Sequence, residues 1–550
     1  MSSTSNGRRD RHDDQTPKRF LVTRRGFVGG AAATAAALAV GVSPVGRGRQ
    51  AAVAQEGPSI IIGTLGEAST INPFLANDTE ADFRCKMLFD DFVHISPDTY
   101  QPQPGIAAEW TLDNLTYVFK IQPNAKFSDG TDLTADDVAF TIKGMLAKTT
   151  GSPQLTKYLS IAGAQEYSDG AAPDVSGIVV SDPKTLQITL ARPDAPFLYN
   201  LHFIRVVPRA MLEGKSLTDD AFFQKPVGAG PFVFESWQTD ADFVAVKNPN
   251  YWQAGKPALA RFTHRTIPDS QSLVAALLAG DIDGSNYPNP GQKAELEANA
   301  DLSVMVPPFT SPDGFQFNLA HEWLAKKEVR RAIAMSLDME QFVQDSLYGL
   351  GGVGIGPIAP DNWAFDKSLQ PIPYDPEGAK ALIAQAGMPA GTKIRFMANK
   401  GNLLREDWVT YAQQALKPLG IDVQAELIEY ATLIDRVENK DFDVNGVVFG
   451  GITAEPSELA EGFGTGASGN YSNYSNPQLD ALLAQAVAEL DIEKAKPIYA
   501  QIQAILMDDL PTFFAWYRPF LHTVKKNYTG YTDSAQFGLF YTLEDWSATQ

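Results

Sequence analysis

The chain has 550 residues, 44% of them hydrophobic and 10% aromatic, and 65 acidic against 45 basic side chains give a net charge of −20. That apolar content supplies packed cores, the length exceeds what one core holds, and the acidic balance argues against nucleic acid or an anionic lipid surface as the main partner. Cys85 is the single cysteine, which excludes an internal disulfide.

The N-terminal segment differs in kind from the rest. Thr23-Arg24-Arg25-Gly26-Phe27 is a twin-arginine pattern, a run of small apolar residues fills 28–45, and Ala52-Val53-Ala54 has the form of a cleavage site. Charged, apolar and small-residue regions in that order are the layout of an export signal. The run is near the minimum membrane span of about 17 residues, but alanine and glycine bury little apolar area. Cleavage after Ala54 is therefore expected. Residues 1–54 hold nine Lys/Arg and three Asp, a charge of +6, which leaves −26 on the remainder. A basic leader on an acidic body suits a soluble protein of the periplasm or the outer cell face. No cysteine follows the run closely, so no lipid anchor is expected.

Beyond the leader, residues 60–65 read as a buried strand. Residues 117–121 alternate as a strand, Ser128-Asp129-Gly130 is a turn, and Thr134-x-x-Asp137 is a capping box before an amphipathic helix. From Lys225 to Asp283 four pieces follow in fixed order. They are the turn Gly228-Ala229-Gly230-Pro231, the strand-type Phe232-Val233-Phe234, the turn Asn248-Pro249-Asn250, and a helix over 272–279 stopped by Gly280. Glycine's tolerance of positive φ suits the first turn. Residues 315–348 predict a strand, a charged turn and one long helix. Asp375-Pro376-Glu377 opens the next helix, with proline at the favourable first position, and Gly387 closes it. Strands 394–397, 421–428 and 442–449 then alternate with helices 406–419 and 430–439, which implies parallel pairing and right-handed crossovers. Helices 477–490 and 492–507 follow, and the aromatic strand 512–518 turns the chain back.

Catalytic patterns fail on context. Gly349 to Gly354 matches G-x-G-x-x-G, but a helix precedes it and Pro357 follows, so a loop is expected rather than a dinucleotide site. His321-Glu322 lacks the second histidine of a zinc protease, and no two of the six histidines stand at metal-ligand spacing. Ser468, in Gly466-Ala467-Ser468-Gly469, is one residue short of a nucleophile elbow. Asp136-Asp137 and Asp508-Asp509 fit solvated helix ends. An exported hydrolase is the rival reading and has no constellation behind it; no cofactor is expected.

The order of turns, strand and helix in 225–283, with the block IAAEWTLDNLTYVFKIQPNAKFSDGTDLTADDVAFTIKGM from Ile106 to Met145, resembles the extracellular solute-binding proteins of ATP-binding-cassette (ABC) importers. The branch is the peptide and nickel type, family 5, which more often has threonine where Ala229 stands. The likeness runs over nearly all of 60–531. It implies an α/β, two-lobed periplasmic-binding-protein-like fold with an inserted domain (cluster C type). The first lobe is expected at 58–95, 218–315 and 520–550, the inserted domain at 96–217, and the second lobe at 316–519. It further implies a monomeric receptor that closes on a small solute, most often a di- or oligopeptide, and delivers it to a membrane permease. Oligosaccharides and metal chelates are the family's other ligand classes.

In open parallel sheets, ligands collect outside the carboxyl ends of the strands. Three such ends are Gly66 to Thr70, Ala398 to Asn402 and Gly450 to Glu455. Small residues and charges there suit a zwitterion: Lys400 or Arg405 for a carboxylate, Glu67 or Glu455 for an ammonium. A charged hydrogen bond in a closed site contributes about 1.5–3 kcal/mol. Trp516 or Tyr517 would supply an apolar wall, and Thr70, Asn402 and Tyr471 complete the expected ligand-binding set. Trp516, Tyr471, Tyr474 and Phe309 would permit stacking on sugar rings. Many peptide-binding members carry aspartate in the third loop. Here Thr453 and Ala454 stand there, and the nearest acid is Glu455. No histidine falls in the three loops, which lowers the metal-chelate option.

Overall fold

Strand Ser59–Thr64 is the apolar run expected at the start, and it pairs in parallel with Arg261–Thr266 and with Gly284–Ser285. The computed structural model to which it belongs describes residues 57–218, 220–307, 312–446, 456–534 and 536–549. The export signal, Phe309 and the third loop with Glu455 lie outside the described residues. So does the end of the strand expected at 442–449.

Three larger sheets organise the chain from Gln55 onward. The first has seven strands, in the spatial order Leu302–Met305, His522–Lys525, Gly284–Ser285, Ser59–Thr64, Arg261–Thr266, Asp242–Lys247 and Phe232–Trp237. The second has six: Gly352–Val353, Thr512–Tyr517, Pro312–Phe317, Val444–Asn445, Thr392–Asn399 and Ile421–Ile428. An antiparallel four-stranded sheet, Ala107–Asp113, Thr116–Ile121, Thr185–Thr189 and Ile178–Asp182, stands between them in sequence. The chain leaves the first sheet after Met305 and enters the second at Pro312. It returns between Tyr517 and His522. Two such crossings are what a hinge between two lobes needs. No helix of the described residues is long and apolar enough to cross a membrane.

Local chemistry explains most element ends. Thr134 and Asp137 form the expected capping box of helix Ala135–Leu146. Asp375 accepts from the Gly378 amide to open Pro376–Ala386, which Gly387 closes at φ 69°. Thr392–Asn399 pairs in parallel with both Ile421–Ile428 and Val444–Asn445, as alternation implies. Other expectations need correction. The single helix expected before Tyr348 is two, Lys327–Met335 and Met339–Ser346, because the Asp338 side chain accepts from the Gln341 amide and starts a new helix. The helix expected at 406–419 begins at Leu403 and ends in a 3-10 turn at Lys417–Leu419, where Pro418 lacks a donor. Part of the glycine-rich stretch after Tyr348, Gly352–Val353, is an edge strand on Thr512–Tyr517.

Gly228 and Gly230 serve close approach rather than positive φ, since neither has one. A Cβ at Gly228 would overlap the carbonyl of Leu88, and one at Gly230 the carbonyl of Met87. The Gly230 amide donates to Leu88 O at 2.9 Å, and Asn248 Nδ2 donates to Gly230 O at 2.7 Å. The turn is thus seated on the C-terminal end of helix Thr79–Phe89.

Around that helix end lies a buried charged network. Asp90 is fully buried and meets His94 Nε2 at 2.6 Å, the Tyr251 hydroxyl at 3.0 Å and Trp252 Nε1 at 2.8 Å. Burial opposes ionisation of Asp90, but His94 and the hydrogen bonds outweigh it and hold the carboxyl down at about 2. Burial likewise opposes the charged ring of His94, and Asp90 overrides it, raising the imidazole above its usual range. The signs follow from linkage. Asp90, depressed, stabilises the fold above its ordinary value near 3.8 and loses that contribution as pH falls towards 2. His94, raised, stabilises below its ordinary 6.5 and loses its contribution as pH rises past its elevated folded value. His94→Gln is therefore expected to cost on the order of 2 kcal/mol at pH 5 and much less at pH 9. Urea denaturation at the two pH values reads this, and an equal loss at both would contradict it.

Candidate ligand-binding site

The first sheet's opening strand runs into a loop and then helix Thr79–Phe89, whose N-cap is Asp78 and whose first turn carries Glu80 and Asp82. Acids there complement the helix dipole and the free amides. They also border a chamber of about 580 Å³. Its floor is Ile62, Gly63 and His264 of the first sheet, with Phe537, Phe540 and Tyr541 of the C-terminal segment at one side. Lys157, His202 and Phe203 from the inserted region form another side. Glu461 closes it from the second sheet's side. A chamber of about 360 Å³ adjoins, sharing Lys157, Phe203, Glu461 and Phe537 and adding Arg192 and Asp194. Glu461 is carried by the short helix Leu459–Phe463, which packs through Phe463 on Phe514 at 6.0 Å between ring centroids.

A chain of contacts supports the first-lobe wall. Glu67 Oε1 accepts from Arg84 Nη1 at 2.5 Å, and its Oε2 accepts from Thr266 Oγ1 at 3.0 Å and the Asp240 amide at 2.9 Å. Arg84 Nε donates to His264 Nδ1 at 3.3 Å, which assigns the ring proton to Nε2. That nitrogen stands 3.3 Å from Glu80 Oε2. Burial, with Arg84 beside it, pushes His264 well below its usual range, so the ring is neutral. Burial also raises Glu80, against the hydroxyls of Thr64 and Tyr287 at its side. Asp82 meets Arg205 at 2.7 Å, and Asp78 accepts from the Ala81 amide and from Ser69. Across the chamber, Glu461 Oε1 accepts from Ser468 Oγ at 3.1 Å, and the Lys157 ammonium stands 5.2 Å from the Phe203 ring.

The residues expected from the sequence fall elsewhere. Glu67 is held by Arg84 as above. Thr70 Oγ1 accepts from the Asn72 amide within its own turn. Lys400 is exposed, and Asn402 caps helix Leu403–Leu416 through the Arg405 amide. Arg405 is 3.7 Å from Asp313, which also receives Arg518 at 2.6 Å, so one carboxylate sits between two guanidiniums. Tyr471 packs half-buried against the cluster of Met397 and Leu433. Trp516, expected as a ligand wall, is fully buried beside Trp408 at 4.6 Å and Phe342 at 5.1 Å, and its ring belongs to the second core. The structure thus gathers Lys400, Asn402 and Arg405 on one loop and helix start. None of these seven lines the two chambers, nor does Tyr517, which is buried with its hydroxyl donating to Ile358 O at 3.1 Å. Glu461 and Lys157 line both and Glu80 the larger, and the sequence gives each the look of an ordinary helix residue.

Residues 101–471 match the family described as bacterial extracellular solute-binding proteins, family 5. The chain belongs to this family. Like other solute-binding proteins of the family, it is similar over most of its length to proteins of known role. It is 27% identical over 518 residues to the oligopeptide-binding protein AppA of Bacillus subtilis, covering 90% of this chain and 92% of that one. It is 25% identical over 514 residues to the dipeptide-binding protein of Escherichia coli, covering 87% and 93%. The solved structure of AppA from Bacillus subtilis in complex with a nonapeptide superposes with a TM-score of 0.76 at 25% identity, over 90% of this chain and all of that one. The fold of this solute-binding protein is therefore the two-lobed α/β type with an inserted domain.

Proposed function

We propose that the chain is the exported, monomeric receptor of an ABC importer, closing two lobes over a peptide and passing it intact to a membrane permease. The observation that carries this reading is the larger chamber, walled by helix Thr79–Phe89 on the first-sheet side and by Glu461 on the second, with the smaller chamber adjoining it. A ligand there touches both lobes, so its binding favours the closed state through contacts absent when the lobes separate. Both signs of charge and several aromatic rings line the chambers, the lining that a peptide's ends and side chains require. The oligopeptide- and dipeptide-binding relatives support the same ligand class.

In this reading the first lobe comprises 58–95, 218–305 and 520–550, the second 312–519, and the inserted domain 96–217. The pairing of Pro312–Phe317 with strands of the second sheet supports ending the first lobe before 312 rather than at 315. Export by the twin-arginine route and cleavage after Ala54 complete the reading. Calorimetric titration of the exported protein with defined di-, tri- and pentapeptides tests it. Saturable binding of at least one peptide, with a fall in radius of gyration by small-angle scattering, is the expected result. Binding of neutral oligosaccharides with no response to any peptide would overturn it.

A further inference from the structure

Among the described residues, four carboxylates line the larger chamber, and they are not equivalent. Asp82 is paired with Arg205, and Asp78 is spent on the helix cap and Ser69. Glu80 and Glu461 have no lysine or arginine in hydrogen-bond contact; Arg84, whose charge acts on Glu80, is bonded to Glu67 instead. Glu80 has the neutral ring of His264 and two hydroxyls, and Glu461 has the Ser468 hydroxyl. Lys157 is the one lysine or arginine among the described lining residues. Glu80 is largely buried, where a carboxylate without a bonded cation is costly, and Glu461 is exposed on the facing wall, so a cation entering between them relieves the first and pairs with the second. The walls beside them are aromatic: Phe83, Tyr287, Phe537, Phe540 and Tyr541. Such faces attract cations and cover apolar stems.

Taking the cleft as the ligand site, we propose that the ligand carries an ammonium or guanidinium group that is clamped between Glu80 of the first lobe and Glu461 of the second. The two carboxylates come from opposite sides of the hinge, so the clamp is complete only when the lobes are closed and its formation favours closure. Complementary charge here acts chiefly on selectivity, because an anionic group in the same place meets the same uncompensated carboxylates.

Calorimetry with four probes tests the clamp: Ala-Ala-Ala, N-acetyl-Ala-Ala-Ala, N-acetyl-Ala-Lys-Ala and agmatine. At least one cation-bearing probe is expected to bind tenfold or more tightly than N-acetyl-Ala-Ala-Ala. That margin should fall below about threefold in Glu80→Gln and in Glu461→Gln. Both variants keep volume and hydrogen bonding, and a thermal unfolding curve for each verifies the fold. Equal binding of the acetylated and free peptides, with no gain from lysine, overturns the clamp and leaves the peptide reading standing. Agmatine binding that depends on both glutamates, with no peptide bound, supports the clamp and overturns the peptide reading. A margin that survives both substitutions, or no binding of any cationic probe, overturns the clamp.

Discussion

Replacing Arg205 by methionine is expected to lower the unfolding free energy by about 3–5 kcal/mol, the cost of leaving a buried partner charge uncompensated. Arg205 is 1% exposed, with Nε donating to Asp91 at 2.9 Å and Nη1 to Asp82 at 2.7 Å. Burial disfavours its charge, but the two aspartates raise it well above the usual arginine value. Asp91 is fully buried and also accepts from the Tyr541 hydroxyl at 3.0 Å, so the guanidinium ties the inserted region, helix Thr79–Phe89 and the C-terminal segment together. Adding Asp91→Asn to Arg205→Met should restore part of the loss, since the orphaned charge is then gone. Urea denaturation measures both. A loss under about 1 kcal/mol for the single variant would show that the network does not hold these segments.

Gly228→Ala is expected to cost about 3 kcal/mol, at the upper end for overpacking, because the new methyl meets backbone rather than a movable side chain. The carbonyl of Leu88 and the ring of Phe89 occupy its place. Gly462→Ala is the control, with nothing within 4 Å of its Cβ position. It should be neutral or slightly stabilising in a helix. Equal thermal shifts for the two variants would contradict the close-approach account.

The Gly228 turn also shows what a sequence reveals. The motif around it was legible as a turn before a strand, and its order with the following helix pointed to the family. The reason for the glycines was not legible, because the Leu88 carbonyl is far away in sequence. Caps at Thr134, Asp375 and Asn402 were readable, or explicable afterwards, from neighbours three residues on. The break at Asp338 was hidden inside an unbroken amphipathic pattern that a short cap interrupts. The site was less legible still. The rule that ligands collect at strand ends pointed to Glu67, and the structure places it at such an end but spends it on Arg84. Trp516 sits in an aromatic strand whose every residue is buried, so alternation gave no sign of which face met the cleft. Glu80 and Glu461 lie 381 residues apart in numbering, each in the first turn of a helix, where an acid is commonplace. Only the folding of two lobes against each other brings them to one chamber.

Native mass spectrometry of the freshly purified protein, incubated with a pool of defined peptides, tests the central claim most directly. The receptor account expects a one-to-one adduct whose released mass equals that of an added peptide, unchanged after prolonged incubation. Hydrolysis products in place of the intact peptide, or no peptide adduct at any pool concentration, would contradict it.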